Sequence, residues 1–540
     1  MVDPKKPRQI SVQLTQSQAD ESVEIGRRTE IDLTLRNAFR HYRPAVMWSA
    51  LISMATVMES YDMQLISSFY AFPQFQKKYG VLLDNGQYSI PANWQLALNL
   101  VGLLGLMIGT FASGSVLERF GARRVIMVSL IALTGFVAIT FLAPSIEVLL
   151  VGELLCSIPW GFFAAATPSY AAEICPLALR GYLTTFVNLC WVMGRLLATG
   201  VLTGTLSIHS QWSYRLPFGL QWVFPIPLVI ITWLAPESPW WLVRKGHLDE
   251  AERCLKRTIS APAGLIDTRS IITMMQHTIE IEHDMKIGTS YRECFQGTNR
   301  RRSEIAMISW GCQLLPGWAI QNYITYFFSL AGLNSGDSFK ITLGSGTLSL
   351  AFTGTCLSWL FQTYFGRRTI YMSGLIAMVP LMFSIGFLGL AHPSSGILWA
   401  QCALLMVWFF CYGKIFNISL LPFRSLSKLR SGCTIGPIPY AIAAEVGASN
   451  LRMKTIALGR GTYYILSVVN SIVAPYMLNP TNGNLKGKAA FPAAGLTMLL
   501  LIWTFFRLPE TKDMTTETLD YLFHQKVPAR KFKEEAKQYQ

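Results

Sequence analysis

Gly114-Ser115-Val116-Leu117-Glu118-Arg119-Phe120-Gly121-Ala122-Arg123-Arg124 is the stretch that decides the fold. Long apolar runs flank it, and a reduced copy, Phe365-Gly366-Arg367-Arg368, stands between apolar runs half a chain later. A basic cluster between closely spaced apolar spans is held in the cytoplasm by its charge. Its recurrence at the same place in each half implies two related membrane halves, a plan common among secondary transporters.

Working outward, a span needs roughly 20 mostly apolar residues. Six such spans fall near 46–70, 93–117, 124–143, 146–171, 183–205 and 217–235. Six more fall near 306–330, 341–363, 369–391, 396–445 (interrupted), 454–477 and 489–507. The expected fold is an all-α integral membrane protein of twelve helices in two six-helix halves. Its parts are an N-terminal arm (1–45), one half (46–235), amphipathic middle helices (236–304), the second half (305–507) and a short, flexible tail (508–540).

Composition agrees. The 540 residues are 51% hydrophobic and 14% charged, with 31 Phe and 15 Trp, whereas a soluble domain carries about a quarter charged residues. The net charge of +15 gathers in the arm, the loops around Arg119–Arg124 and Arg300–Arg302, and the tail after Lys526. That distribution reads as positive-inside and places both termini in the cytoplasm, with no nucleic-acid partner implied. The arm has no apolar stretch of the kind a cleaved signal peptide needs. The ten cysteines show no paired spacing and read as small apolar residues. Scattered histidines, with no HExxH, GxSxG or Walker pattern, argue against an enzyme, and no cofactor or metal is implied.

The tenth span is anomalous. It runs from Ile397 to Gly413, is broken by a segment carrying Lys414, Arg424, Lys428 and Arg430, and resumes at Cys433. Each cation costs roughly 3 kcal/mol at mid-bilayer, so one lipid-facing helix does not hold four. Removing residues 414–432 restores a span of ordinary length. Gly-Lys and Ser-Gly can be encoded as in-phase splice-donor and splice-acceptor sequences, so the insert reads as a translated, unspliced intron. The alternative is a genuine loop leaving the membrane; finding its codons in the mature transcript would establish the loop.

Several motifs now carry a resemblance. Pro168-Ser169-Tyr170-Ala171-Ala172-Glu173-Ile174-Cys175-Pro176-Leu177-Ala178-Leu179-Arg180-Gly181, Pro236-Glu237-Ser238-Pro239-Trp240-Trp241-Leu242, Gln313-Leu314-Leu315-Pro316-Gly317 and Pro509-Glu510-Thr511-Lys512 resemble the sugar-porter family of the major facilitator superfamily. Met58-Glu59-Ser60-Tyr61-Asp62, Leu216–Trp222, the Trp240-Trp241 pair and Leu451–Arg460 resemble the fungal α-glucoside (maltose-type) permeases. The resemblance implies import of disaccharides with a proton across the plasma membrane. The partners are sugar, proton and bilayer, and the protein is expected to be a monomer. Leu106, where such symporters carry a third acid, keeps a passive carrier open. A transporter-like sugar sensor is a further alternative, against which the short tail argues.

Glu59 and Asp62 lie three apart on one face of an apolar span. Intramembrane carboxylates are expensive and usually face a pathway. They are the candidate proton-coupling residues, with Arg460 on the opposite half as a cationic partner. The alternatives are structural pairing for the acids and snorkelling for Arg460. Glu153 and Arg195, in the outer parts of adjacent antiparallel spans, form a candidate ion pair. Sugar recognition calls for amides, hydroxyls and aromatic faces. Candidates are Asn188, Trp191, Gln313, Gln321, Asn322, Tyr323 and Tyr440, with Gln221 and Trp222 weaker; each has helix–helix hydrogen bonding as its alternative. Glu118, Arg119, Arg124, Glu173, Arg180, Glu237, Arg367, Glu445, Arg452 and Glu510 stand at span ends. The resemblance implies that they pair across the halves as a cytoplasmic gate.

Overall fold

A computed structural model describes residues 16–539 except 71, 83–87, 206–207, 263–265, 285–289, 319–364, 392–393, 414–437, 449 and 479–484. Helices α1 (Gln16–Ile31) and α2 (Leu35–His41) precede α3 (Arg43–Ser53) and α4 (Ala55–Phe69). The last two meet at Met54, which keeps helical angles, so they form one rod over the expected first span. A short α5 (Pro73–Tyr79) and a two-residue pairing of β1 (Val81–Leu82) with β2 (Tyr88–Ser89) follow. Then come α6 (Ala92–Phe120), α7 (Ala122–Leu142), α8 (Ile146–Ile174), α9 (Leu177–Thr205), α10 (Trp212–Leu220) and α11 (Pro225–Leu234). The middle stretch forms α12 (Pro239–Arg244), α13 (Leu248–Thr258) and α14 (Thr268–Asp284). The second part contains α15 (Gly297–Gly311), α16 (Arg367–Leu388), α17 (Ser395–Gly413), α18 (Ile438–Val446), α19 (Arg452–Leu478) and α20 (Ala490–Arg507), then α21 (Thr516–His524) and α22 (Phe532–Tyr539).

Among the described residues, eight helices are long and apolar enough to cross a membrane. The 29 residues of α6 reach about 44 Å at 1.5 Å per residue, longer than the hydrocarbon core. Val128, Ile131, Ile230, Trp233 and Leu499 point outward, more than half exposed, as a lipid-facing surface requires. Inside, small residues set helix spacing. A Cβ on Gly109 or Gly161 would strike backbone of the facing helix, so α6 and α8 touch main chain to main chain. Thr110 Oγ1 donates to the Gly161 carbonyl at 3.1 Å across that seam.

The short motif explains itself here. Gly121 ends α6 with φ +85° and ψ 158°, a conformation open essentially to glycine, and its missing side chain makes room for the Glu237 carboxylate. Glu237 Oε1 accepts from the Arg123 and Ser238 amides at 3.2 and 3.0 Å, placing negative charge at the start of α7. The second half repeats the arrangement. Gly366 leaves room for Glu510, whose Oε1 accepts from the Arg367, Thr511 and Lys512 amides at 2.7, 3.1 and 3.2 Å. Burial pushes both the Glu237 and Glu510 carboxyls above the ordinary carboxylate range. Arg123 caps the Thr232 and Trp233 carbonyls at the end of α11, as Arg368 caps Phe505 near the end of α20.

Two expectations need correction. The helix expected over 306–330 starts at Gly297 and stops at Gly311; Gln313 is followed by a tight turn at Leu315–Gly317, where Pro316 lacks the amide a helix needs. The rest of that span, and the eighth span, lie outside the described residues, as does the 414–432 insert. The tail is not loose: α21 and α22 pack together through Phe523 and Phe532, and a buried Arg302–Asp520 ion pair ties α21 to α15. The N-terminal arm, too, is partly helical. Gly26 lets α1 press against Ser270 and Met274 of α14, and Arg27 pairs with Glu517 of α21.

Candidate functional site

Glu59 of α4 and Arg460 of α19 meet in the interior. Arg460 Nη2 lies 2.6 Å from Glu59 Oε1. Tyr464, one turn beyond Arg460, accepts from its Nε at 2.9 Å and donates to the same Glu59 oxygen at 2.9 Å. Arg460 Nη1 donates to the Tyr440 hydroxyl at 3.3 Å. The guanidinium stands over the rings of Trp310, Tyr464, Tyr463 and Tyr440, 4.8, 5.0, 5.2 and 5.8 Å from their centroids. Gly459 leaves the space Trp310 fills. A cation desolvated in this way keeps its charge through one carboxylate, two phenols and four ring faces. Glu59 is completely buried, and among the described residues its Oε2 accepts no hydrogen bond.

Asp62, one turn from Glu59, is also buried but faces other partners. Gln221, just after α10, donates to Asp62 Oδ1. The expected Glu153–Arg195 ion pair does not form. Glu153 is buried on α8, while Arg195 is exposed, donates to Gln64 Oε1 at 3.3 Å and stacks over Trp191 at 5.8 Å. The two residues have matching depth, but α9 presents Arg195 away from α8. Gly194 sets that rotation, because α4 packs on it through Val57 and Ser60.

The sugar-site candidates divide. Asn188 and Trp191 are half-buried on α9, and among the described residues the Trp191 indole N–H has no acceptor. Gln313 is buried beside the turn that ends α15. Tyr440 belongs to the Arg460 cluster, edge-on to Trp310 at 4.4 Å. Trp222 donates to the Thr134 carbonyl at 2.9 Å and is structural. Gln321, Asn322 and Tyr323 lie outside the described residues. Trp310, Tyr463 and Tyr464 escaped the sequence reading. The two tyrosines were detectable, since they stand three and four residues after Arg460 on one helix; nothing local marked Trp310.

The span-end charges mostly pair within their own half. Glu173 takes Arg244 at 2.9 Å and the Ser238 hydroxyl; Glu445 takes Arg367 at 2.8 Å and the Thr511 hydroxyl at 2.6 Å. Glu237 and Glu510 serve as the amide acceptors described above. The halves are joined instead by a Glu118–Lys454 ion pair and by Arg180 and Arg452, which both reach the Thr516 hydroxyl, at 3.5 and 3.4 Å. Arg124 is exposed, with Arg123 doing the capping, and exposed Arg119 stacks on Phe120 at 5.3 Å. Lys454, Arg244 and Thr516 were not singled out from sequence. They are legible only once the helices are adjacent.

Apolar helices of spanning length, an interior ion pair joining the two parts of the chain, and charge networks at one end define a membrane transporter of the major facilitator type. Residues 48–426 and 431–523 match the family described as "Sugar (and other) transporter". The general alpha-glucoside permease of Saccharomyces cerevisiae is 37% identical over 508 residues, covering 93% of this chain and 79% of that one. The maltose permease MAL31 of the same yeast is 37% identical over 522 residues, with 96% and 80% covered. The proton:xylose symporter XylE, bound to 6-bromo-6-deoxy-D-glucose, superposes with a TM-score of 0.71 at 17% identity, over 90% of this chain and 100% of that one. Its inward-open form from E. coli gives 0.57 at 18% identity, over 88% and 98%. The chain belongs to the sugar transporter family, among relatives of the fungal α-glucoside permeases.

Proposed function

We propose that this protein brings maltose-like α-glucosides into the cell together with protons. It would act as a monomer in the plasma membrane, through twelve helices in two six-helix halves with both termini cytoplasmic. One observation carries the reading: the buried Glu59–Arg460 pair, which links the halves in mid-protein one turn from a second buried acid, Asp62. Charges held this way are costly in lipid and are retained where a pathway uses them. The α-glucoside and maltose permeases at 37% identity support the substrate class.

In this reading sugar binds between the halves, its hydroxyls meeting Asn188, Gln313, the Gln321 and Asn322 amides and the Tyr323 hydroxyl, its apolar face meeting Trp191 and Tyr440. Protonation in the Glu59/Asp62 region favours the loaded transition. Glu118–Lys454 and the Arg180/Arg452 contacts with Thr516 hold the cytoplasmic side shut and part when that side opens. Radiolabelled maltose uptake, recorded with external pH in cells lacking other permeases, tests it. Uptake that alkalinises the medium supports symport. Uptake indifferent to pH returns the passive carrier, and no uptake by a version lacking 414–432 returns the sensor.

A further inference from the structure

A cleft of about 350 Å³ lies between the start of α15, the last turn of α20 and the segment just after α21. Four cations line it: Arg300, Arg301, Arg507 and Lys526. The acid in the wall, Glu304, is already taken. Arg507 grips it through Nη2 and through Nε at 3.0 Å, and the Trp503 indole donates to it at 2.8 Å. Among the described residues Arg300, Arg301 and Lys526 form no ion pair, so their charge in the cleft is uncompensated.

Membrane topology accounts for cations at this end of the molecule but not for their convergence, because like charges spread apart unless something holds them. Arg301 is held. Its Nη1 donates to the Val527 carbonyl at 2.7 Å, and its guanidinium lies 5.5 and 5.3 Å from the ring centroids of Phe523 and Phe532. Its Nε is buried and, among the described residues, has no acceptor. Lys526 is held too, at φ +54°, the left-handed conformation that the end of a helix ordinarily gives to glycine. The turn is closed by the Lys526 amide on the Phe523 carbonyl and the Val527 amide on the Leu522 carbonyl, at 3.1 and 3.2 Å. A lysine there carries a conformational cost that glycine avoids. Gly297 and Thr298 bring the first turn of α15, which holds no acid, into the same wall, and the positive end of the helix adds to the potential.

Helix α20 is apolar and long enough to cross a membrane, and Arg507 is its last residue. Ile502, Phe505 and Phe506 stand exposed just before it. The cleft therefore sits where an apolar helix surface ends, at the depth of lipid headgroups.

We propose that this cleft binds a phosphate monoester, carried by an anionic lipid or by a small soluble phosphate. Arg300 and Lys526 supply charge from two elements, and Arg301 donates from a guanidinium fixed in advance by its two rings. Charge-assisted bonds of this kind are the strong ones. The bound phosphate joins α15 to the segment after α21, the same connection that the buried Arg302–Asp520 pair makes from within.

The test is thermal unfolding of the purified full-length protein in detergent, titrated with dioctanoyl phosphatidate, with glycerol phosphate and with dioctanoylglycerol. Phosphatidate should raise Tm to a plateau, and dioctanoylglycerol, which lacks the phosphate, should not. Glycerol phosphate acting over the same concentrations makes a soluble phosphate the source; phosphatidate acting alone makes it a lipid. Half-saturation should move up about fivefold in Arg300→Gln and further in Arg300→Gln/Lys526→Gln. It should stay put when exposed Lys77 and Lys78 of α5 are both changed to Gln. Lys526→Gly relaxes the left-handed turn while removing the ammonium, so it loses affinity without losing stability and stands in for any polar variant that fails to fold. No saturating shift with either phosphate overturns the proposal, and so does a half-saturation that Arg300→Gln and Lys526→Gly leave unchanged.

Discussion

Arg460→Gln and Glu59→Gln remove opposite ends of one ion pair, and the structure says they are unequal. Without Arg460, Glu59 keeps, among the described residues, only the Tyr464 hydroxyl, with Oε2 lacking a partner there. Removing one member of a buried pair and stranding the other costs about 3–5 kcal/mol. Without the Glu59 charge, Arg460 still donates to Tyr440 and Tyr464 and faces four aromatic rings, while the Gln carbonyl still accepts. Each ring contact is worth about 0.5–2 kcal/mol when desolvated, so Glu59→Gln should cost only about 1–2 kcal/mol. The difference, about 1–4 kcal/mol, is a factor of roughly 5 to 900 in an equilibrium constant. The Glu59→Gln/Arg460→Gln double variant has no stranded charge and should be more stable than Arg460→Gln alone. The assay is thermal unfolding of detergent-purified protein followed by size-exclusion chromatography, beside maltose accumulation for each variant. Equal losses in the two single variants, or a double variant no better than Arg460→Gln, would refute the argument that the ring cluster carries the cation independently of the acid.

Reversing Glu118 to Lys or Lys454 to Glu should each open the cytoplasmic side, read as faster labelling of a cysteine placed facing it, while the double reversal restores protection; a double reversal as open as the singles removes this pair from the gate. Burial pushes the Glu30 carboxyl above its ordinary value, with Arg180 and Arg452 drawing it partly back. The docked α1 therefore holds a proton more tightly than the released helix, so docking is firmest below the ordinary carboxylate value and weakens as pH rises through the raised one. Hydrogen exchange over residues 16–31, corrected for its intrinsic rate, should rise as pH climbs above the ordinary carboxylate value of about 4, and protection that strengthens as pH rises contradicts it. Deleting residues 414–432 joins α17 to the segment at Cys433 and should raise maltose uptake and surface level severalfold, whereas loss of transport would make the segment a working loop.

Much of this molecule was legible in the chain because its signals are local. The Gly121 turn and its copy at Gly366 are set by steric exclusion at one residue, and the structure fills both with a carboxylate from a Pro-Glu motif, Glu237 and Glu510. Glu59 and Asp62 stood out because acids are expensive in an apolar run. The tail reads as charged and loose, yet its helices pack through Phe523, Phe532 and the Arg302–Asp520 pair, whose value depends on burial supplied by α15. A polar segment of 30 or so residues does not announce such a partner.

The sequence by itself determined which segments are apolar enough for lipid, where they turn, which charges are trapped among them, and that the pattern occurs twice. Who faces whom is a matter of packing: Glu59 with Arg460, Asp62 with Gln221, and Arg195 with Gln64. The reason is rotational. Helices such as α6 and α8 are apolar on every side, so hydrophobic periodicity does not mark an inner face. Their rotation and depth are fixed by glycine contacts with helices distant in the chain, at Gly105, Gly109, Gly161 and Gly194, and a turn of a fraction of a helix gives every buried charge a different neighbour.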